Sequence, residues 1–196
     1  MQKRNFLGGM VLILGIGAII MKMVRGKKTE GNHMEKVEAI KEEVNANIND
    51  VADWFMLKGA MSNKKVQKLC YYAQAWSLAL YDSPIATDSK FEAWVHGPVN
   101  KTLWNRFKCF GWSEFQLTEP ERVREILNTK FSESQNKILE SVWETYGEFS
   151  ADELEKMTHE EKPWLEKRKG IGKFESCNDE ISESTMKEYY RSRVIE

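Results

Sequence analysis

The residues able to do covalent, acid–base or metal chemistry are few: three histidines and three cysteines in 196 residues. His96 stands in the run WVHGPV beside a glycine–proline pair, where an imidazole can act as base, ligand or partner contact, or fix a turn by hydrogen bonding. Cys70 falls on an apolar helical stripe and reads as a small buried hydrophobe. Thiol catalysis would need Cys70 or Cys109 within about 3 Å of His96 or His159, which nothing in their spacing provides. The cysteines have no CxxC spacing, and no two ligands sit at short zinc-site spacing, so neither a metal nor a cofactor is predicted. An odd number of unpaired thiols fits a reducing compartment. His159-Glu160-Glu161 begins like HExxH, but Pro163 occupies the second histidine's place. Gly170-Ile171-Gly172-Lys173 has neither the preceding strand nor the full spacing of a phosphate-binding loop. Ser62 and Ser77 have no nucleophile-elbow context. The residues therefore assemble no catalytic set, and the chain is read as a non-enzyme.

The elements that would position these residues are mainly helical. Residues 35–57 carry Val37, Ile40, Val44, Ile48, Val51, Ala52 and Phe55 at helical spacing, interrupted by Asn45, Asn47 and Asn49. This pattern predicts two helices, the second capped by Asn49 and ended by Gly59. A helix capped by Ser62 runs to about Tyr81, with Val66, Leu69, Cys70, Ala73, Trp76 and Leu80 forming one buried face. Residues 91–95 form a short strand, in which Trp94 and His96 share one side and Ala93 and Val95 the other. Gly97-Pro98 is read as a turn and helix start, since proline suits the first helical position. That helix carries Val99, Leu103, Trp104 and Phe107 and ends at Gly111. Further helices are predicted over about 119–127, over 134–146, from the capping box Ser150–Glu153 onward, at Pro163-Trp164, and after Ser182 or Ser184, with a loop over 167–179. The expected fold is a single, mainly α domain with one or two short β-strands, preceded by an N-terminal transmembrane helix.

That last element rests on residues 6–21, sixteen in a row without a charge, including Phe6, Leu12, Ile13, Leu14, Ile19 and Ile20. As a helix they span about 24 Å, and extension over 5–24 reaches about 30 Å if Lys22 snorkels. The basic residues Lys22, Arg25, Lys27 and Lys28 outweigh Lys3 and Arg4, so the main domain is expected on the cytoplasmic side of the inner membrane. A signal peptide, a buried segment, or translation from Met34, which would leave a cytoplasmic protein, are the other readings of the same residues. The division expected is an anchor over 1–24, a linker and leading helix over 25–48, and the domain over 49–196. Residues 1–33 hold six basic residues and one acidic, whereas the rest hold 23 basic and 29 acidic. A net-acidic body argues against nucleic acid as a partner, because phosphate neutralisation needs clustered Lys and Arg.

Four blocks carry a family resemblance: NDVADWFMLKG (49–59), VQKLCYYAQAWSLAL (66–80), FEAWVHGPV (91–99) and ELEKMTHEEKPW (153–164), closed by MKEYYRSR (186–193). In this order they resemble the Panacea domain, the SocA-like antitoxin family that also includes phage-associated GepA-type proteins. The resemblance implies a helical, non-enzymatic domain that neutralises a cognate toxin by binding it, the toxin usually being encoded next door. A role in handing the toxin to a protease is implied as well. A prophage adaptor recruiting a host protein or protease to the membrane is the alternative function. Two departures stand out: Ser77 replaces a frequent histidine, and Asn100-Lys101-Thr102-Leu103-Trp104 replaces a helix start often carrying proline and tyrosine. The residues expected to meet the partner are Trp94, His96, Gly97, Pro98 and Trp104.

Overall fold

The computed structural model describes residues 45–194. The anchor expected over 1–24 lies outside them, and so does most of the leading helix expected before Asn49. Among the described residues no helix is long and apolar enough to cross a membrane.

The domain is built on one central helix. Helix α1 spans Ile48–Met56 and α2 spans Asn63–Tyr81. After two hairpin strands come α3 (Lys101–Phe107), a 3-10 turn (Lys108–Phe110), α4 (Pro120–Leu127) and α5 (Glu133–Tyr146). The chain closes with α6 (Ala151–His159), α7 (Lys162–Lys167) and α8 (Glu183–Arg191). Every residue of α2 from Val66 to Ala79 is buried, so this helix has no solvent face. The single buried face expected from its periodicity is thus an underestimate. α8, α5, α1 and α6 surround it, and α8 packs along it most extensively. A helix covered on all sides must be apolar or internally satisfied all round. That is why the sequence after Lys68 carries no charge until Asp82, whose left-handed conformation (φ 57°) ends the helix.

Local capping follows the expectation at Ser62, Ser150 and Ser182, adds Ser132 ahead of the helix expected over 134–146, and corrects the cap of α1. Ser62, Ser132, Ser150 and Ser182 cap α2, α5, α6 and α8, and Ser150 forms the expected box with Glu153. α1, however, is capped by Asn47 and not Asn49. Asn47 Oδ1 accepts from the Asn49 and Asp50 amides, while Asp50 Oδ2 accepts from the Asn47 amide at 2.9 Å. The reciprocal pair requires an acid three residues on, and only Asn47 has one.

Four short strands, more than the one or two expected, pair in two antiparallel ladders. β1 (Met61–Ser62) pairs with β4 (Glu114–Phe115), and β2 (Glu92–Trp94) pairs with β3 (Gly97–Val99). Gly97-Pro98 is therefore the return strand of a hairpin, not the helix start that was expected. Pro98 lies opposite Ala93, where its missing N–H costs nothing, because the Ala93 amide donates outward to Asp179 O at 3.0 Å. The helix starts three residues later at Lys101, capped by Asn100, whose Oδ1 accepts from Leu103 N and whose Nδ2 donates to the Asp88 and Lys90 carbonyls. The buried Gln67 of α2 clasps this corner, accepting from Asn100 N at 2.8 Å and donating to Asn100 O at 3.1 Å.

Aromatic side chains fill the core between α2, α5 and α8. Tyr72 stacks on Tyr146 with ring centres 3.8 Å apart, and Trp76 Nε1 donates to Tyr146 Oη at 3.1 Å. At the centre lies a buried carboxylate, Glu161, which accepts from Tyr190 Oη at 2.5 Å and Tyr72 Oη at 3.4 Å. Arg168, also buried, donates to the carbonyls of Ala93, Gly172 and Glu175 and so pins the 167–179 loop to the hairpin.

Candidate functional site

The hairpin β2–β3, the start of α2 and the turn after α3 converge on a recess of about 210 Å³ walled by Trp94, Trp104 and Trp112. Trp94 is half-buried, packs against Trp104 at 5.5 Å between ring centres, and donates from Nε1 to Glu92 Oε2 at 2.9 Å. Trp164 Nε1 donates to the Trp94 carbonyl at 2.9 Å, fixing the hairpin from α7. His96 occupies the exposed hairpin turn. Its Nδ1 lies 3.1 Å from Glu155 Oε1, and its ring meets Trp112 edge-on at 5.3 Å. Trp112 is 69% exposed and Trp104 37%. Indoles so exposed, beside one another, do little for the core and are the side chains that anchor protein interfaces.

The floor is set by Gly97 and Lys68. Gly97 has φ 93°, and a Cβ there would lie 2.6 Å from Lys68 Cε and 2.8 Å from Thr158 Oγ1. Only glycine admits this close approach. The Lys68 ammonium donates to Pro98 O at 2.9 Å, its only partner within hydrogen-bonding distance among the described residues. Burial in this position pushes its pKa down to about 7, with the nearby Glu155 charge acting in the opposite direction. Lys64, at the edge, is ion-paired to Glu155 at 2.7 Å and also to Asp152. Burial works to raise the Glu155 pKa, yet the hydrogen bonds from Lys64 and His96 prevail and hold it below the usual range.

Of the five residues expected at a partner surface, Trp94, His96 and Trp104 line this recess together. Gly97 and Pro98 are buried beside it. Trp112, Lys64, Lys68 and Lys108 also line it, and sequence reasoning passed over all four. For Trp112 a signal existed: a tryptophan directly after a glycine, outside any apolar stripe.

Among the described residues, the thiols and His159 form no such assembly. Cys70 is buried with its pKa raised by that burial, the condition of an inert thiol, and all three cysteines are free. His159 stacks on Trp164 at 4.0 Å, with Nε2 buried and unpartnered. Among the described residues no cluster of His, Cys, Asp or Glu is placed to hold a metal ion.

A family model described as antitoxin SocA-like, Panacea domain, matches residues 66–165. The matched span takes in the central helix from Val66 onward, the hairpin and the three tryptophans of the recess, and leaves Asn63 and Lys64 of its lining outside. Comparison with curated proteins and with solved structures yields no match.

Proposed function

This chain belongs to the SocA-like antitoxin family defined by the Panacea domain, and from that premise we propose that it neutralises a cognate toxin by direct binding, without catalysis, through the Trp94–Trp104–Trp112 surface. The observation that carries this reading is the family match itself, whose span includes an exposed tryptophan cluster that the core does not need. Neutralisation by binding requires a surface with anchor residues, and the recess supplies three indoles. The partner is a toxin, most naturally encoded by an adjacent gene, and a protease could act on the captured toxin. The alternative, a prophage adaptor bringing a host protein or protease to the membrane, would use the same surface.

The test is co-expression of the chain with small neighbouring reading frames that are toxic alone. Trp112→Ala weakens toxin binding by about thirtyfold, or about 2 kcal/mol, as removal of an interface anchor does. Because Trp112 is mostly exposed, the variant keeps its thermal unfolding midpoint. His96→Ala separates contact from turn structure: lost neutralisation with unchanged stability assigns His96 to the partner. If Trp112→Ala and His96→Ala both neutralise as well as wild type, the binding surface lies elsewhere.

We further propose that residues 1–24 tether the domain at the cytoplasmic face of the membrane, raising its effective concentration toward a membrane-directed partner. The support is the charge-free run over 6–21 with its basic C-terminal flank. The full chain is then expected to sediment with membranes and to resist salt extraction, whereas a chain starting at Met34 stays in the supernatant. Recovery of the intact full chain in the supernatant would sink the tether.

A further inference from the structure

We propose that the recess receives an acidic–aromatic segment of the partner protein, with a carboxylate at its donor groups and the adjoining apolar side chain against the tryptophans. This rests on the reading of the recess as the partner surface and specifies what that partner must present.

The recess is lined by cationic and indole donors but by no carboxylate. Its three lysines are Lys64, Lys68 and Lys108. Lys64 is already balanced by Asp152 and Glu155. Neither of the other two has a carboxylate partner among the described residues. Lys68 donates to a carbonyl, and Lys108 donates to Asn105 Oδ1 at 3.2 Å while lying 4.9 Å from the centre of the Trp104 ring. The indole N–H groups of Trp104 and Trp112 also find no acceptor there, unlike those of Trp94, Trp76 and Trp164. Nearby acids cannot serve. Glu92 is engaged by Trp94 and Lys101, and Glu155 by Lys64 and His96. A carboxylate entering the recess meets the exposed Lys108 ammonium and the exposed indoles of Trp104 and Trp112, while the bordering acids Glu92 and Glu155 are already paired with Lys101 and Lys64, a complementarity of the kind that fixes register at an interface. The tryptophan walls offer apolar area for the neighbouring side chain. A nucleic-acid strand could present the same acceptor and stacking chemistry. The acids bordering the recess, Glu92, Asp152 and Glu155, and the net-acidic body disfavour an extended phosphate backbone.

The full-length chain is immobilised and used to select a displayed library of random twelve-residue peptides, with a twelve-nucleotide oligo-dT as a parallel probe. Enriched peptides are expected to place Asp or Glu within two residues of Trp, Phe or Leu. Their capture should fall at least tenfold on Lys108→Glu and on Trp112→Ala, both exposed positions that leave the fold intact. Enrichment of Lys- or Arg-rich peptides, enrichment without charge bias, or no enrichment overturns the proposal. So does preferential binding of the oligo-dT that is lost on Lys108→Glu. The toxin assay separates the two levels of the reading. Neutralisation that survives both substitutions leaves an antitoxin whose anchor is not this recess. Capture of acidic peptides without neutralisation of any neighbouring toxin keeps the recess chemistry and removes the antitoxin reading.

Discussion

Gly97→Ala is expected to destabilise the domain by about 2–6 kcal/mol, although it adds only one methyl group. Two independent costs meet at this position. The backbone sits at φ 93°, where an L side chain is strained by about 1–3 kcal/mol. The added Cβ would also lie 2.6 Å from Lys68 Cε and 2.8 Å from Thr158 Oγ1, and overpacking of that kind costs about 1–3 kcal/mol. Lys68 cannot swing clear, because it is fully buried and its ammonium is held by Pro98 O, one residue from the glycine. Gly111 is the internal control: its φ is 57°, yet nothing lies within 4 Å of its notional Cβ. Gly111→Ala therefore carries the strain without the collision. In urea titrations at constant m-value, a loss at Gly97→Ala clearly larger than at Gly111→Ala reports the collision added to the strain. Equal losses would mean that Lys68 yields, and that the floor of the recess is softer than its geometry implies.

The same corner shows what the sequence discloses and where it stops. The helices and their serine caps are local features, written in stripes and in the spacing from Ser150 to Glu153, and these were legible. So was the proximity of Trp94 and His96 within the FEAWVHGPV block. Pro98 misled because its two roles, first residue of a helix and paired strand residue without a donor, look alike in sequence. The choice between them is made by Asp179, which takes the Ala93 amide, and by Lys68, which takes the Pro98 carbonyl. Both partners are distant in the chain. The burial of Lys68 and Glu161 was illegible for a related reason. An ionisable residue reads as a surface residue until its hydrogen-bond partners are known, and those of Glu161 are Tyr72 and Tyr190, from helices far apart in the chain that pack side by side in the fold. Trp112 joins the recess only because β1 pairs with β4, a two-residue ladder too short to leave a periodic trace.

Glu161 supplies the second large effect, a pH dependence that Glu161→Gln removes. Burial raises the Glu161 pKa to about 7 in the folded protein, against the pull of the Tyr190 hydrogen bond and the Arg193 charge. In the unfolded chain it titrates near the ordinary 4.5. Between these values the folded state holds a proton that the unfolded state has released, so rising pH favours unfolding. The carboxyl is stability-neutral below about 4.5, costs progressively more up to about 7, and costs a constant amount of about 3 kcal/mol above that. Glutamine keeps one acceptor oxygen for Tyr190, turns its amide N–H donors toward Tyr72 Oη, and does not titrate. The stability of Glu161→Gln relative to wild type should therefore rise by about 3 kcal/mol between pH 4.5 and pH 8, whatever the offset at the acid end. Asp152, Glu153 and Glu155, whose pKa values are held low, stabilise the fold in the opposite sense as pH rises, but they are common to both proteins and cancel in the difference. Denaturant titrations of the pair at pH 4.5, 6 and 8 measure it. A flat difference would show that Glu161 ionises inside the core at little cost, with the Tyr190, Tyr72 and Arg193 groups supplying the solvation that burial removes.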